Sequence, residues 1–238
     1  MRKFIPILTL FMALACVSCG EKQQESSVSS SADEIISETS PQRIVNNYDD
    51  GILVGQWRNE QTNIMIFNED GSADAVMDVS AVMHFTENNT LMLDTNEISA
   101  DFVHYDGSVI DVSYKDEETG KNVQLMLLER KDKTNQDSMN GRYSFTGGQL
   151  FDRLCANLNI ENGNSSLDLI INGNECQLYI NNAFSYVQDG DIIDFTGFNA
   201  PFKTQSHGDC YFILDGDTLT IVNNFTDEKA TFERMHNS

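Results

Sequence analysis

The residues of this chain best suited to chemistry are four histidines, five cysteines and a set of acidic turns. His84, His104, His207 and His236 are scattered, and no His-x-His or His-Glu-x-x-His spacing sets two imidazoles against one metal. His84 and His104 each take one position in an alternating run, the place of an ordinary half-exposed strand histidine. There is no Gly-x-Ser-x-Gly elbow, no phosphate-binding glycine loop and no Ser-x-x-Lys pair. Asp189-Gly190-Asp191 and Asp215-Gly216-Asp217 invite a calcium reading, but they lack the alternating oxygen ligands and distal Glu of an EF-hand loop, and turn chemistry accounts for them better. No catalytic residue, metal ligand or cofactor is therefore assigned, no catalysis is expected, and an enzyme with an unrecognised site stays as an alternative.

Two of the cysteines stand in a different setting. Arg2 and Lys3 precede an apolar run from Phe4 to Val17, the layout of an export signal over residues 1–18. A run of about 14 apolar residues falls short of the ~20 that a hydrocarbon core takes, so it is not read as a membrane span. Its end, Ala15-Cys16-Val17-Ser18-Cys19-Gly20, resembles a bacterial lipobox, where a small residue precedes a cysteine that is acylated and becomes the mature N-terminus. The resemblance implies a lipid anchor, palmitate among its chains, on Cys19, because a polar tail begins directly after it. Cys16, with Leu14 and Ala15 before it, stays open as the alternative. Each buried methylene contributes about 0.8 kcal/mol, so two or more acyl chains hold a folded body at a membrane. The implied location is the extracytoplasmic face of a bacterial cell membrane. Outside the cytoplasm one disulfide is permitted among Cys155, Cys176 and Cys210; three cannot pair completely, and the sequence does not choose the pair. The sequons at Asn88, Asn164 and Asn224 mean little in a bacterium.

Charge narrows the partners. Acidic residues outnumber basic ones 37 to 15, a formal charge of −22, and cleavage before Cys19 removes two basic residues and no acidic one, taking it to −24. Nucleic acid is excluded as a partner, since its affinity rests on Lys and Arg neutralising phosphates. Attachment to the membrane then falls to the covalent anchor. A hydrophobic fraction of 40% with 9% aromatics supports an ordinary core. Residues 19–47, rich in Ser, Gln and Glu, read as a disordered tether that sets the body about 30 Å from its anchor.

From Ile52 onward, Asp-Gly and Asn-Gly pairs at 70–71, 106–107, 140–141, 162–163, 172–173, 189–190 and 215–216 punctuate short alternating runs such as Ser99–Tyr105 and Asp217–Val222. That pattern predicts antiparallel hairpins. The exception is Gln149–Leu158, where Leu150, Phe151, Leu154, Cys155 and Leu158 share one helical face, which predicts a short helix. Gly55-Gln56-Trp57 is echoed by Gly141-Arg142-Tyr143, and Leu128-Glu129-Arg130 by Phe232-Glu233-Arg234. Two copies of one module are expected, at 48–133 and 138–238, with the polar stretch from Lys131 to Ser138 between them; a single large sandwich is the alternative.

At Gly55-x-Trp57, Phe67-Asn68-Glu69-Asp70-Gly71 and Arg130 the modules resemble the lipocalin-like small β-barrels of bacterial lipoproteins. The resemblance implies an all-β fold of two tandem antiparallel meander barrels, in which a first-strand ring packs under a last-strand arginine. Trp57 with Arg130, and Tyr143 with Arg234, are the expected structural pairs. It also implies a small apolar ligand held inside a barrel, the larger second one being the better candidate. The other reading, binding of an extracellular protein or glycan on the outer surface, rests on the little spare volume that modules of fewer than about 100 residues leave. The binding residues and the oligomeric state are not legible.

Overall fold

The computed structural model describes residues 46, 48–60, 63–94, 96–116, 118–132, 137–158, 160, 166–197 and 200–236. The signal, both candidate anchor cysteines, the tether up to residue 45, the Asn162-Gly163 pair and Asn164 lie outside them. The chain is mostly β, built from β1 (Gly55–Arg58), β2 (Ile64–Phe67), β3 (Ser72–Asp78), β4 (Met83–Phe85), β5 (Leu91–Leu93), β6 (Asn96–Ile98), β7 (Val103–Tyr105), β8 (Val109–Lys115) and β9 (Asn122–Arg130). The second half adds β10 (Gly141–Gly147), α1 (Gln149–Asn157), β11 (Ser166–Asn172), β12 (Glu175–Asp189), β13 (Ile192–Thr196), β14 (Cys210–Asp215), β15 (Thr218–Asn223) and β16 (Lys229–Arg234). The turn pairs act as expected between β2 and β3, β7 and β8, β11 and β12, β12 and β13, and β14 and β15, with Gly71, Gly107, Gly173, Gly190 and Gly216 at positive φ. Ser99–Tyr105 departs from its expected strand. Phe102 N–H bonds back to the carbonyl of Ser99, making a 3-10 turn over Ala100–Phe102 before β7 begins.

Eight strands close on themselves in the order β13-β14-β15-β16-β1-β2-β3-β12, with β12 pairing back onto β13. This is an antiparallel barrel. Its long strand β12 is shared: the second half, Ser185–Asp189, pairs with β13, while the first half, Glu175–Asn181, pairs with β11. Between them the register against β3 slips from Ile180 to Phe184, where Asn182 takes φ 51°. From β11 the sheet runs on through β10, β9, β8 and β7, and β4, β5 and β6 form a separate three-stranded sheet beside it.

Strand pairing crosses the expected junction. β9, the last strand of the first repeat, does not return to β1; it pairs with β10, the first strand of the second repeat. β1 is left to pair with β16, some 180 positions later. Loop closure favours this: β9 and β10 are joined by a short link, so their pairing is reached at an entropic cost about 1–2 kcal/mol below that of a return to β1. The arginines follow their strands, and the expected pairs are therefore exchanged. Arg234 lies over Trp57 at 4.2 Å from the ring centroid, and Arg130 lies over Tyr143 at 4.9 Å.

The strands of the closed barrel bury a set of rings. Trp57, Phe67, Phe184, Tyr186, Phe195 and Phe212 are all buried. Phe67 meets Phe184 and Tyr186 edge-on at 6.0 and 4.8 Å, and Phe184 meets Phe195 at 5.7 Å. The segment before β1 packs against β14: Tyr48 stacks on Phe212 at 4.9 Å, and its hydroxyl takes the N–H of Leu214 at 3.0 Å. Leu53, wholly buried, lies beside it in sequence and accepts the Trp57 indole N–H at 2.7 Å. α1 forms where expected and buries Leu150 and Leu154; among the described residues no helix is long and apolar enough to cross a membrane.

Candidate functional site

Three polar assemblies are built into this frame, and each follows from the register of the strands that carry it. The first pair closes the sheet. Trp57 faces Arg234 across β1 and β16, and Tyr143 faces Arg130 across β10 and β9. Each ring is preceded two positions earlier by a glycine, and the guanidinium passes over the space a Cβ would fill. A Cβ on Gly141 would stand 2.6 Å from an Arg130 terminal nitrogen, and one on Gly55 3.4 Å from that of Arg234. The Gly-x-aromatic repeat is thus the mark of an arginine laid across a strand.

Arg130 is almost completely enclosed, its side chain 2% exposed. Its nitrogens donate to the carbonyls of Gly107 at 3.1 Å, Asn140 at 2.9 Å and Ser138, to Asp132 at 2.8 Å, and to the hydroxyls of Tyr105 and Tyr143 at 2.7 and 2.6 Å. Burial holds the Tyr143 phenol far above its ordinary pKa, so it stays neutral. Every donor is occupied, and nothing is left over for a substrate. Arg234 is simpler, donating to the carbonyls of Ile52 at 2.8 Å and Val54 at 3.3 Å. Both arginines tie chain segments together.

The second assembly lies on the outer face of the sheet. Leu167 and Leu169 point inward, so Asp168 between them points out, yet it is wholly buried. Arg142 Nε and Lys131 Nζ bind one of its oxygens at 2.6 and 2.9 Å, and Ser144 Oγ donates to the other at 2.8 Å. Arg142 also covers the ring of Tyr179 at 4.0 Å. The Tyr179 hydroxyl donates to Asp74, whose other oxygen accepts Asn182 N–H at 2.8 Å. Burial, then the hydrogen bond to Asp74, pushes Tyr179 up to about 12. This network pins the bulge of β12 to β3, β10 and β11. Sequence reasoning missed it, because four residues from four strands share no spacing; the one signal was an Asp between two leucines in an alternating run.

The third assembly is exposed. His207 Nδ1 sits 2.6 Å from Asp194, and its Nε2 lies 3.7 Å from Asp189. The bond to Asp194 raises the histidine above its ordinary value. The acidic turns are self-capped: Asp70 accepts Ser72 N–H and Oγ, Asp106 accepts Ser108 N–H and Oγ, and these bonds hold both carboxyls below the usual range. Asp191 is 2% exposed and accepts Asn46 N–H at 3.2 Å. Among the described residues no group of three His, Cys, Asp or Glu is placed to hold a metal ion.

His84 is half-buried with Nδ1 2.9 Å from the Ser80 carbonyl, His104 is exposed, and His236 pairs with Asp217 at 2.9 Å. Cys155, Cys176 and Cys210 are free thiols on α1, β12 and β14. Burial pushes Cys176 and Cys210 up to about 11 and raises Cys155, so none is held as a reactive thiolate. Cys19 lies outside the described residues. The chain matches none of the protein-family models, curated proteins or solved structures with which it was compared.

Proposed function

We propose that this chain is an exported lipoprotein, acylated at Cys19 on the extracytoplasmic face of a bacterial membrane, whose lipocalin-like β body works by binding a protein or glycan on its outer surface and catalyses no reaction. The observation that carries the binding mode is the cluster of buried rings on the barrel strands: Phe67 meets Phe184 and Tyr186, and Phe184 meets Phe195, taking up room that a ligand would need. A barrel packed with its own rings presents its exterior to partners. The saturated hydrogen bonding of Arg130 and the raised thiols speak for structural rather than chemical roles. The anchor reading is supported by Arg2, Lys3, the apolar run and Ser18-Cys19-Gly20.

Metabolic labelling with a palmitate analogue tests the anchor: the wild-type protein takes up label and partitions into detergent, and Cys19→Ala does neither. Label retained by Cys19→Ala and lost in Cys16→Ala moves the anchor; no label in the wild type overturns it. Native mass spectrometry of protein purified without detergent tests the binding mode. The mass of the acylated chain with nothing further bound is expected, and a co-purifying, non-covalently held small apolar molecule would restore the carrier reading.

A further inference from the structure

The barrel wall is thinnest between β13 and β14. These strands share a single bridged pair, Ile192 with Tyr211, supported by Phe212 N–H donating to the Asp191 carbonyl at 2.8 Å. Every other neighbouring pair in the ring has at least two. Beyond Ile192, residues from the 200–209 segment attend to β13 instead. Thr204 Oγ accepts the N–H of Phe195 at 2.8 Å and donates to the carbonyl of the same residue at 2.5 Å. Those are the two bonds that one residue of a neighbouring strand supplies. Phe202, 7% exposed, packs into the core two positions earlier.

Side chains rather than a strand ladder hold the rest of the segment. His207 and Gly208 N–H meet the carboxylate of Asp194 at 2.6 and 3.2 Å, and Asp209 accepts the N–H groups of Gln205 and Ser206 at 2.6 and 2.8 Å. Asn224 Nδ2 donates to the Gly208 carbonyl at 2.5 Å. The segment runs along the edge of β13, from Thr204 at Phe195 to His207, whose Nε2 lies 3.7 Å from Asp189 at the turn that precedes the strand.

We propose that the β13 edge at Ile193–Phe195 is a β-augmentation site, at which an extended, cationic segment of a partner protein carrying an aromatic residue displaces residues 200–209. The inference rests on the surface-binding reading above and names its site. The occupant's chemistry is that of the segment now in place: an apolar ring for the space Phe202 fills, main-chain groups for those Thr204 satisfies, and positive charge where His207 stands between Asp189 and Asp194. A chain at −22 favours a cationic partner at every approach. Added strands draw affinity from main-chain bonds and selectivity from pockets for alternate side chains, and this edge offers both.

The test uses the mature full-length protein and a fluorescein-labelled peptide with the sequence of residues 200–208, whose one formal side-chain charge is that of Lys203. Fluorescence anisotropy compares wild type, Thr204→Val and the double variant Phe202→Ser/Thr204→Val, and hydrogen exchange follows the Phe195 amide. Both variants are expected to bind the peptide at least ten-fold tighter than wild type, to exchange the Phe195 amide faster, and to recover its protection when peptide is added. A peptide with Ser in place of the Phe is expected to bind at least ten-fold weaker. No peptide binding by a folded Thr204→Val protein, with the Phe195 amide still protected, overturns the site; that variant decides the matter if the double variant does not fold. Such a failure leaves the surface-binding reading standing, whereas a small apolar molecule found in the barrel by native mass spectrometry removes that reading and the site together.

Discussion

Replacing Arg234 with Gln separates the exchanged topology from two independently closed modules. The guanidinium lies 4.2 Å over Trp57 and donates to the carbonyls of Ile52 and Val54 at 2.8 and 3.3 Å. A cation over an aromatic face is worth about 1 kcal/mol when partly exposed, as Arg234 is. A hydrogen bond from a charged donor adds about 1.5–3 kcal/mol, and the longer of these two belongs at or below the bottom of that range. The sum, discounted for solvent at the half-buried guanidinium, is a loss of about 3 kcal/mol. With a urea slope of about 2–3 kcal/mol/M, the unfolding midpoint falls by about 1–1.5 M. Trp57 is the single tryptophan of the chain, so its emission reports on the surroundings of this one ring, the guanidinium of Arg234 among them. Arg234→Gln is expected to change the native emission spectrum as well as the midpoint. Arg130→Gln, which strips six partners from an enclosed guanidinium, costs about 3–5 kcal/mol but leaves the native spectrum as it was. If Arg130→Gln alters native Trp57 emission and Arg234→Gln does not, the first repeat closes on itself and the exchanged pairing is wrong.

Asp168→Asn leaves Arg142 and Lys131 without their shared counter-charge and is expected to cost about 2 kcal/mol, the two cations recovering part of their solvation; chemical denaturation followed by circular dichroism measures it, and an unchanged midpoint refutes the role given to the network. Gly148→Ala places a Cβ 2.5 Å from the Leu125 carbonyl oxygen at φ +100°, and a loss of about 3 kcal/mol is expected in the same assay. The folded-state pKa of His207 is raised, so its bond to Asp194 stabilises the fold fully below the ordinary histidine value of about 6.5 and is lost as pH rises through the raised one. NMR titration should find the His207 midpoint above 6.5 and Asp194→Asn should bring it back towards that value; equal midpoints would remove the coupling.

Local structure was legible where one residue type has one physical job. Asp-Gly and Asn-Gly pairs fixed most hairpins, and the apolar stripe at Leu150 and Leu154 fixed α1. The rings and arginines were recognised as partners by type, because a Gly-x-aromatic strand and a late arginine are both visible in the chain. Which arginine meets which ring was not visible: Arg130 and Arg234 stand in equivalent places of two similar repeats, and only the competition between a short link and a long return decides their strands. Asp168 and Asp74 were illegible for a related reason. Each sits in an ordinary alternating strand, and burial on the outer face arises only when Arg142 and Tyr179 arrive from neighbouring strands.

The late meeting of β1 with β16 bears on how the chain acquires its shape as it emerges from an N-terminal start. The first three strands appear early, yet β3 waits about 100 residues for β12, and β1 waits about 180 for Arg234 on β16. No closed barrel exists until β16 has been made. Contacts so distant in sequence also make closure slow. A chain with this timetable stays an open, threadable polypeptide for most of its synthesis, and it becomes a barrel only when β16 arrives.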